Sequence, residues 1–396
     1  MRIAMIGTRG VPARYGGFET CVEEVGRRLV DRGHDVLVYC RPAYAKEFEY
    51  TSDEYLGMRL IHLPVIHSRF IETLAHTALS VVHRSLRGAD VALVFNAANA
   101  PLLPVVRMLG VPVATHVDGL EWQRGKWGPM GKRYYRIAES LAVRWSDALI
   151  ADAQGIAQYY STEFGVDTEL IAYGAPLLDR PGAERLAALG LESSSYHLVV
   201  ARFESENHVL EIVQGYVASG AKLPLIVVGS APYADAYTAA IEGAGNDQVH
   251  LLGAVWDQDQ VNALYAHALS YLHGHSVGGT NPSLLRAAGA GAFTLAYDVN
   301  FNREVLGETA DYFTTPTDVA ELLVEVEADQ QRARIRGADL RQNIARYNWD
   351  DVADRYEALC IRLVERSVPR RGRSGRRTAS PESLRGAEDS SPRSEP

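Results

Sequence analysis

Cysteine, long apolar runs and positive charge are all scarce in this chain, and each shortage excludes something. The three cysteines, Cys21, Cys40 and Cys360, show no metal-binding spacing, and buried free thiols in a reducing cytoplasm explain them. No apolar run approaches the roughly 20 residues that span a bilayer. The chain opens directly on a core strand instead of a signal peptide. The expectation is a cytoplasmic protein that neither enters a secretory route nor crosses a membrane. Lys and Arg number 40 against 49 Asp and Glu, a net charge of −9, so the basic face of a general nucleic-acid binder is not expected. The first glycine loop has neither GxxxxGK followed by Ser or Thr, nor GxGxxG with an acidic residue at the end of the next strand. A triphosphate P-loop and a nicotinamide dinucleotide are therefore set aside. No acidic DxD-type element stands at a strand end, and the chemistry is expected to need no metal.

What is present begins at residue 2. Residues 2–6 form a short apolar run that reads as a buried parallel strand, and a loop punctuated by Gly7, Gly10, Pro12, Gly16 and Gly17 follows it. Phe18, Val22, Val25 and Leu29 recur at helical spacing, with Glu23, Glu24, Arg27, Arg28 and Asp31 on the other face. Gly33 supplies the stop, and residues 35–40 start a second strand. Gly16 and Gly17 thus bare backbone N–H groups at a helix N-terminus, where orphan donors and the helix dipole suit an anion. A glycine loop that merely turns the chain is the competing reading.

A chain of 396 residues exceeds one ordinary core, and two domains are expected. In the first half, helices are predicted over 70–86, 102–109 and 133–144, and strands over 91–95, 111–115 and 148–151. Turn residues in 173–182 mark a linker. A second series follows, with strands over 196–201, 225–228, 249–252 and 270–272 and helices over 209–218, 234–244 and 258–267. Such alternation predicts an α/β architecture of two Rossmann-like, doubly wound parallel sheets facing a cleft, with ligands at the carboxyl ends of the strands. The domains are placed at 1–176 and 177–349. An amphipathic helix within 350–366 returns to the first, and a tail over 367–396, rich in Arg, Ser, Pro and Gly, is expected to be disordered.

The second half carries the sharper chemistry. Arg202 to Asn207 (RFESEN) lies at the end of a strand and opens a helix. His273 to Ser283 (HGHSVGGTNPS) does the same before a helix over 284–289. The two loops should sit side by side. Arg202 can neutralise a diphosphate, while Gly279, Thr280 and Asn281 offer backbone and side-chain donors. The plainer alternative is a surface ion pair for Arg202 and a simple turn for the glycines.

These residues carry a resemblance. IGTRGVPARYGGFET (6–20), VDGLEW (117–122), HGHSVGGTNPSLL (273–285) and FNREVLG (301–307) make the ordered chain, residues 1–366, similar to retaining family 4 nucleotide-sugar glycosyltransferases of the two-domain GT-B fold. The subgroup it most resembles is bacterial and adds rhamnose or related sugars in exopolysaccharide and capsule synthesis. The resemblance implies a nucleotide-diphosphate sugar as substrate and no separate cofactor. The donor would be held mainly by the C-terminal domain, and a glycan or lipid-linked acceptor by the N-terminal one. Donor contacts are then expected at Gly16, Gly17, Asn207, Gly278, Gly279, Thr280, Asn281, Ser283 and Arg286. Three of these depart from the family pattern. Asn207 stands where many members have lysine, and Gly278 and Arg286 stand where two glutamates are common. A guanidinium cannot accept the ribose hydroxyl hydrogen bonds that a carboxylate accepts, so Arg286 would turn to a phosphate or alter nucleotide preference.

In retaining enzymes of this fold the leaving phosphate is thought to take the acceptor's proton on the same face. Arg202 would stabilise that leaving group, and His116 and Asp118, just after a strand, would orient the acceptor hydroxyl. His116 as a satisfied structural histidine is the alternative. Glu121 and Trp122 are the acceptor-side candidates, with Trp122 either a sugar platform or a core residue. Two readings of other classes remain. One is a non-catalytic GT-B-like assembly partner, suggested by Arg286 and Asn207. The other is a sugar-nucleotide isomerase or epimerase, for which the TNPS loop offers no acid–base carboxylate. The tail arginines Arg370, Arg371, Arg373, Arg376 and Arg377 form either a solvated segment or a peripheral contact with anionic lipid at the inner face of the cell membrane.

Overall fold

The computed structural model describes residues 1–13, 16–42, 50–65, 72–117, 119–125, 127–179, 182–230, 235–368 and 374–377. The first sheet comprises β1 (Arg2–Ile6), β2 (Asp35–Cys40), β3 (Glu54–Tyr55), β4 (Met58–His62), β5 (Val91–Phe95), β6 (Val113–His116), β7 (Ala148–Ala151) and β8 (Glu169–Leu170). Its spatial order is β3-β4-β2-β1-β5-β6-β7-β8, parallel except for the β3–β4 hairpin. The second comprises β9 (His197–Val200), β10 (Leu225–Val228), β11 (Val249–Gly253), β12 (Ser270–His273), β13 (Phe293–Tyr297) and β14 (Asp311–Phe313). Its order is β11-β10-β9-β12-β13-β14, parallel throughout. Strand order reverses between β1 and β5 in one sheet and between β9 and β12 in the other. Those two switch points are where an open α/β sheet leaves a crevice beyond its carboxyl edge.

The helices of the first half are α1 (Gly17–Asp31), α2 (Glu72–Val82), α3 (Leu103–Met108), α4 (Pro129–Trp145) and α5 (Gln154–Phe164). Those of the second are α6 (Glu184–Ala187), α7 (Val209–Ser219), α8 (Asp235–Ala244), α9 (Gln258–His267), α10 (Pro282–Ala290), α11 (Asn300–Leu306), α12 (Pro316–Ala328) and α13 (Gln330–Ile344). The last helix among the described residues is α14 (Trp349–Val364). Local chemistry sets their limits. α1 buries Cys21, Val22, Val25 and Leu29 on one stripe. It ends in a Schellman motif, with Gly33 N–H donating to Val30 O and His34 N–H to Leu29 O, and Gly33 at φ 84°. α10 starts at Asn281, whose side chain accepts from Ser283 N–H, with Pro282 in the first turn.

α14 follows the second sheet yet packs on α1 and β5 of the first half. It buries Trp349, Val352, Tyr356, Leu359, Cys360 and Leu363. Arg28 pairs with Asp350, and Arg32 and His34 pair with Glu357 at 2.8 and 2.7 Å, on the rim of this contact. Burial decides its strength. Each large apolar side chain removed from water contributes about 1.5–3 kcal/mol, whereas exposed ion pairs contribute about 0–1.

Several boundaries differ from those expected. The helix expected over 70–86 is α2 over Glu72–Val82 followed by a 3-10 turn over Arg84–Gly88, in which the His83 side chain accepts from Ser85 N–H. The strand expected over 111–115 is β6, shifted to Val113–His116 because Pro112 has no N–H for the ladder. The tail expected to be disordered falls mostly outside the described residues. Of its described residues, 367 and 368 directly follow the last helix, and 374–377 lie against α4 and α5, with Arg377 hydrogen-bonded to both helices.

Candidate active site

The loops after β1, β6, β9 and β12 meet where the two carboxyl edges face each other. The loop after β1 is pinned by acids of its own helix: Glu19 accepts from Arg9 N–H at 2.9 Å and Glu23 from Ala13 N–H at 2.6 Å. Gly16 caps α1 at φ 109° with no side-chain cap bond. A Cβ on Gly17 would lie 3.0 Å from the Tyr173 ring and 3.5 Å from Pro282 Cγ. The N-termini of α1 and α10, one from each half, therefore abut across the cleft.

Other contacts hold the halves together at the same level. Thr280 Oγ1 donates to Asp152 O at 2.6 Å. A Cβ on Gly279 would collide with the Asp152 carboxylate, and one on Gly119 with the Gly278 backbone. Glu304 accepts from Gln154 N–H at 2.9 and 3.0 Å, capping α5 from the opposite half. Asn302 donates to His275 O and Tyr297 O. The FNREVLG stretch is thus an interface element, with Phe301 buried in the first half's core. The sequence of that motif alone does not show this role.

The loops after β9 and β12 are laced into one unit. Ser276 donates from its backbone and hydroxyl to Glu206 O. His208 bonds Gly274 O at 2.7 Å and stacks on Tyr297 at 4.0 Å. Asn207 is only 5% exposed. Its Nδ2 donates to Arg202 O and its Oδ1 accepts from His275 Nδ1, both at 2.8 Å. Both ends of that amide are committed, so Asn207 fixes the loop that carries Arg202. Arg202 itself is half-exposed, with the Glu204 carboxylate at 3.8 Å. Asn281 is the helix cap already described. The Ser283 side chain bonds within the Tyr265–Tyr271 cluster behind the cleft wall. Arg286 Nη1 donates to Gln258 at 2.6 Å, at the start of α9.

On the first half, His116 ends β6 and is 1% exposed. It lies between Phe18, Phe95 and Tyr173, with ring centroids 5.1 to 5.8 Å apart. Neither ring nitrogen has a hydrogen-bond partner among the described residues, and burial pushes its pKa down to about 3. Buried polar atoms normally find a partner, so this neutral imidazole is compatible with a core filler or with a contact to a ligand hydroxyl. Asp118 lies outside the described residues. Glu121 is turned to other work: it pairs with Arg124 at 2.5 Å and accepts from Trp127 Nε1 at 3.3 Å. Arg124 in turn approaches Glu206 of the second half at 3.6 Å, bridging the cleft. Trp122 has a buried, unpartnered Nε1 and lies under the Arg136 guanidinium at 5.2 Å. His273 and His275 are held neutral by burial, the former at about 3, the latter also by Arg124.

Comparison with known proteins gives consistent findings. Residues 1–176 match the model of a domain of unknown function, DUF1972, and residues 221–358 match a family described as glycosyl transferase-like. No curated protein matches the chain. Among solved structures, sucrose-phosphate synthase from Thermosynechococcus elongatus superposes over 92% of this chain and 99% of its own, with TM-score 0.75 and 20% identity. Anabaena HepE in complex with UDP-glucose covers 91% and 99%, with TM-score 0.71 and 15% identity. An E. coli trehalose-6-phosphate structure bound with UDP-2-fluoro glucose covers 91% and 99%, with TM-score 0.65 and 11% identity. The chain has the GT-B glycosyltransferase fold, and its second half matches the glycosyl transferase-like family.

Proposed function

We propose that this chain is a retaining, metal-independent glycosyltransferase that moves a sugar, with rhamnose the leading candidate, from a nucleoside-diphosphate donor. The acceptor is a glycan or lipid-linked glycan of a cell-surface polysaccharide, met on the cytoplasmic side. The observation that carries this reading is the abutment of two helix N-termini, α1 at Gly17 and α10 at Pro282, beside Arg202 and the orphaned His116. The similar HepE and E. coli structures are complexes with UDP-glucose and UDP-2-fluoro glucose.

In this reading the diphosphate lies against the N–H groups of Gly17 and of the 278–281 loop, with Arg202 as its counter-charge. Cleavage of the bond between C1 and the phosphate oxygen leaves negative charge on the diphosphate, which these fixed donors stabilise. The acceptor oxygen attacks C1 on the same face, and its proton passes to the departing phosphate. Neutral His116 takes a sugar hydroxyl. Asp118 orients the acceptor.

Purified protein and a panel of nucleotide sugars test this, with release of nucleoside diphosphate as the readout. Arg202→Ala should lower turnover by about 2–4 kcal/mol of transition-state stabilisation with the melting temperature preserved. Activity within threefold of wild type removes Arg202 from the site. The non-catalytic reading draws support from Asn207, whose amide is spent inside the protein. It predicts donor binding without transfer or hydrolysis of any donor.

A further inference from the structure

The first half carries a slot for one guanidinium, between α4 and α5, away from the loops that form the cleft. Its walls are Glu139 and Glu163, with side chains 5% and 2% exposed, the Tyr159 hydroxyl and the Phe164 ring. Two carboxylates buried this deeply are costly unless a cation with matching geometry joins them. Burial raises the Glu139 pKa, and a bonded cation offsets that effect. Arg136 reaches only the edge of the slot, at 3.7 Å from Glu163.

Arg377 fills it. Nη1 donates to Glu163 Oε1 at 2.6 Å and to Tyr159 at 2.9 Å. Nη2 donates to Glu139 Oε2 at 2.8 Å and to the Arg136 carbonyl at 3.0 Å. The guanidinium carbon stands 4.8 Å from the centre of the Phe164 ring. Gly375, at φ 69°, lays the backbone on α4 where a Cβ would collide with Ser140 O. Neighbouring Arg376 is exposed. Fork geometry, two opposed carboxylates and an aromatic face together select arginine over lysine.

We propose that this slot is the docking site for the chain's own C-terminal segment around Arg377, and that the docked arginine keeps Arg136 on Trp122. With Arg377 docked, the Arg136 guanidinium lies over the Trp122 ring at 5.2 Å while its Nη2 stands 3.7 Å from Glu163, short of a hydrogen bond. While Arg377 holds Glu163, Arg136 covers Trp122. When the segment leaves, the bare carboxylate draws Arg136 away and uncovers the indole. The inference stands whether or not the chain transfers sugar.

The test uses full-length protein and a labelled peptide of residues 369–382. In the Arg377→Ala chain the slot is vacant, so the peptide should bind it at least about tenfold more tightly than wild type, whose own segment competes. That ratio corresponds to about 1.4 kcal/mol. The same peptide carrying Arg377→Ala should bind neither protein, and one carrying Arg376→Ala should bind normally. Peptide binding to Arg377→Ala protein should shift its tryptophan emission, and adding Trp122→Phe should abolish the shift. Arg377→Lys serves where the alanine chain misfolds, with intermediate occupancy expected. Equal peptide affinity for wild type and variant, or indifference to the peptide's own Arg377, overturns the docking. Binding with an emission shift that survives Trp122→Phe overturns the link to Arg136. Docking of an arginine peptide of unrelated sequence with equal affinity would make the slot a general receptor and overturn its assignment to this tail.

Discussion

His116 shows how far one side chain can be read. As a strand-end histidine it has two roles, core filler or ligand contact, and the two predict opposite responses to the same substitution. Phenylalanine fits among Phe18, Phe95 and Tyr173 and removes two buried polar atoms that have no partner. Stability should hold or rise in His116→Phe, because an unsatisfied buried donor or acceptor costs about 1–3 kcal/mol. Donor affinity or turnover should fall by a similar amount if the nitrogens serve a ligand. Calorimetry with the donor, set beside the melting temperature, decides it. A stabilised variant with undiminished turnover leaves His116 in the core. Asn207 teaches the reverse lesson. Its type and position suggested a ligand contact, yet both amide ends are used to hold neighbouring loops.

Among elements, the close pairs of glycine loops are the sensitive points. Gly119 belongs to the first half, and a Cβ there would overlap the Gly278 backbone of the second. Backbone cannot swing aside as a long side chain does, so Gly119→Ala should hold the two loops apart. Each sheet keeps its own packing, and the melting temperature should barely move. Binding of nucleoside diphosphate and turnover should both weaken by about tenfold, about 1.4 kcal/mol. Unchanged affinity would mean the halves separate there during the reaction.

The same scale shows what the sequence could tell. β1, α1, β7, β10 and α9 were legible because their apolar runs or stripes are long and bounded by turn residues. The switch-point loops were legible through their glycines and their place after strands. β3 and β8, of two residues each, carry no periodic signal. α13 buries only Ala333, Gly337, Leu340 and Ile344, two of them too small to register as an apolar stripe. The roles of Glu304 and Arg124 were hidden because their partners lie in the opposite half, 150 and 82 positions away in sequence. Arg377 was hidden within a stretch whose composition argues for disorder.

For the whole molecule, buried histidines set the response to acid. Burial holds His116 and His273 down to about 3 and His76 to about 4, all below the ordinary value near 6.5. The unfolded chain therefore binds more protons than the folded one in this window. Their contribution is complete above about pH 6.5 and is lost as pH falls toward 4 and then 3. Burial holds His275 well below its ordinary value too, and each of these four histidines adds a slope of up to about 1.4 kcal/mol per pH unit, together about 5.5. Denaturant unfolding between pH 7 and 4.5 should show this decline, and His116→Phe should remove about a quarter of it. A slope unaffected by that substitution would show that His116 is not neutral and buried. Because His116 is neutral at physiological pH, an ionisation near 6.5 in the pH–rate profile belongs to another group.

α14, the last helix among the described residues, lies on α1, where Arg28 bonds Asp350 across 322 positions of sequence. Cys21, Val22, Val25 and Leu29 share a core with Tyr356, Leu359, Cys360 and Leu363. During synthesis the first sheet leaves the ribosome with only the face of α1 that α14 covers left bare, since the rest of the stripe packs on β2 and β4. It stays bare while the entire second sheet is made. A chain interrupted anywhere before Trp349 leaves that face of α1 exposed, a sticky surface far in sequence from the break.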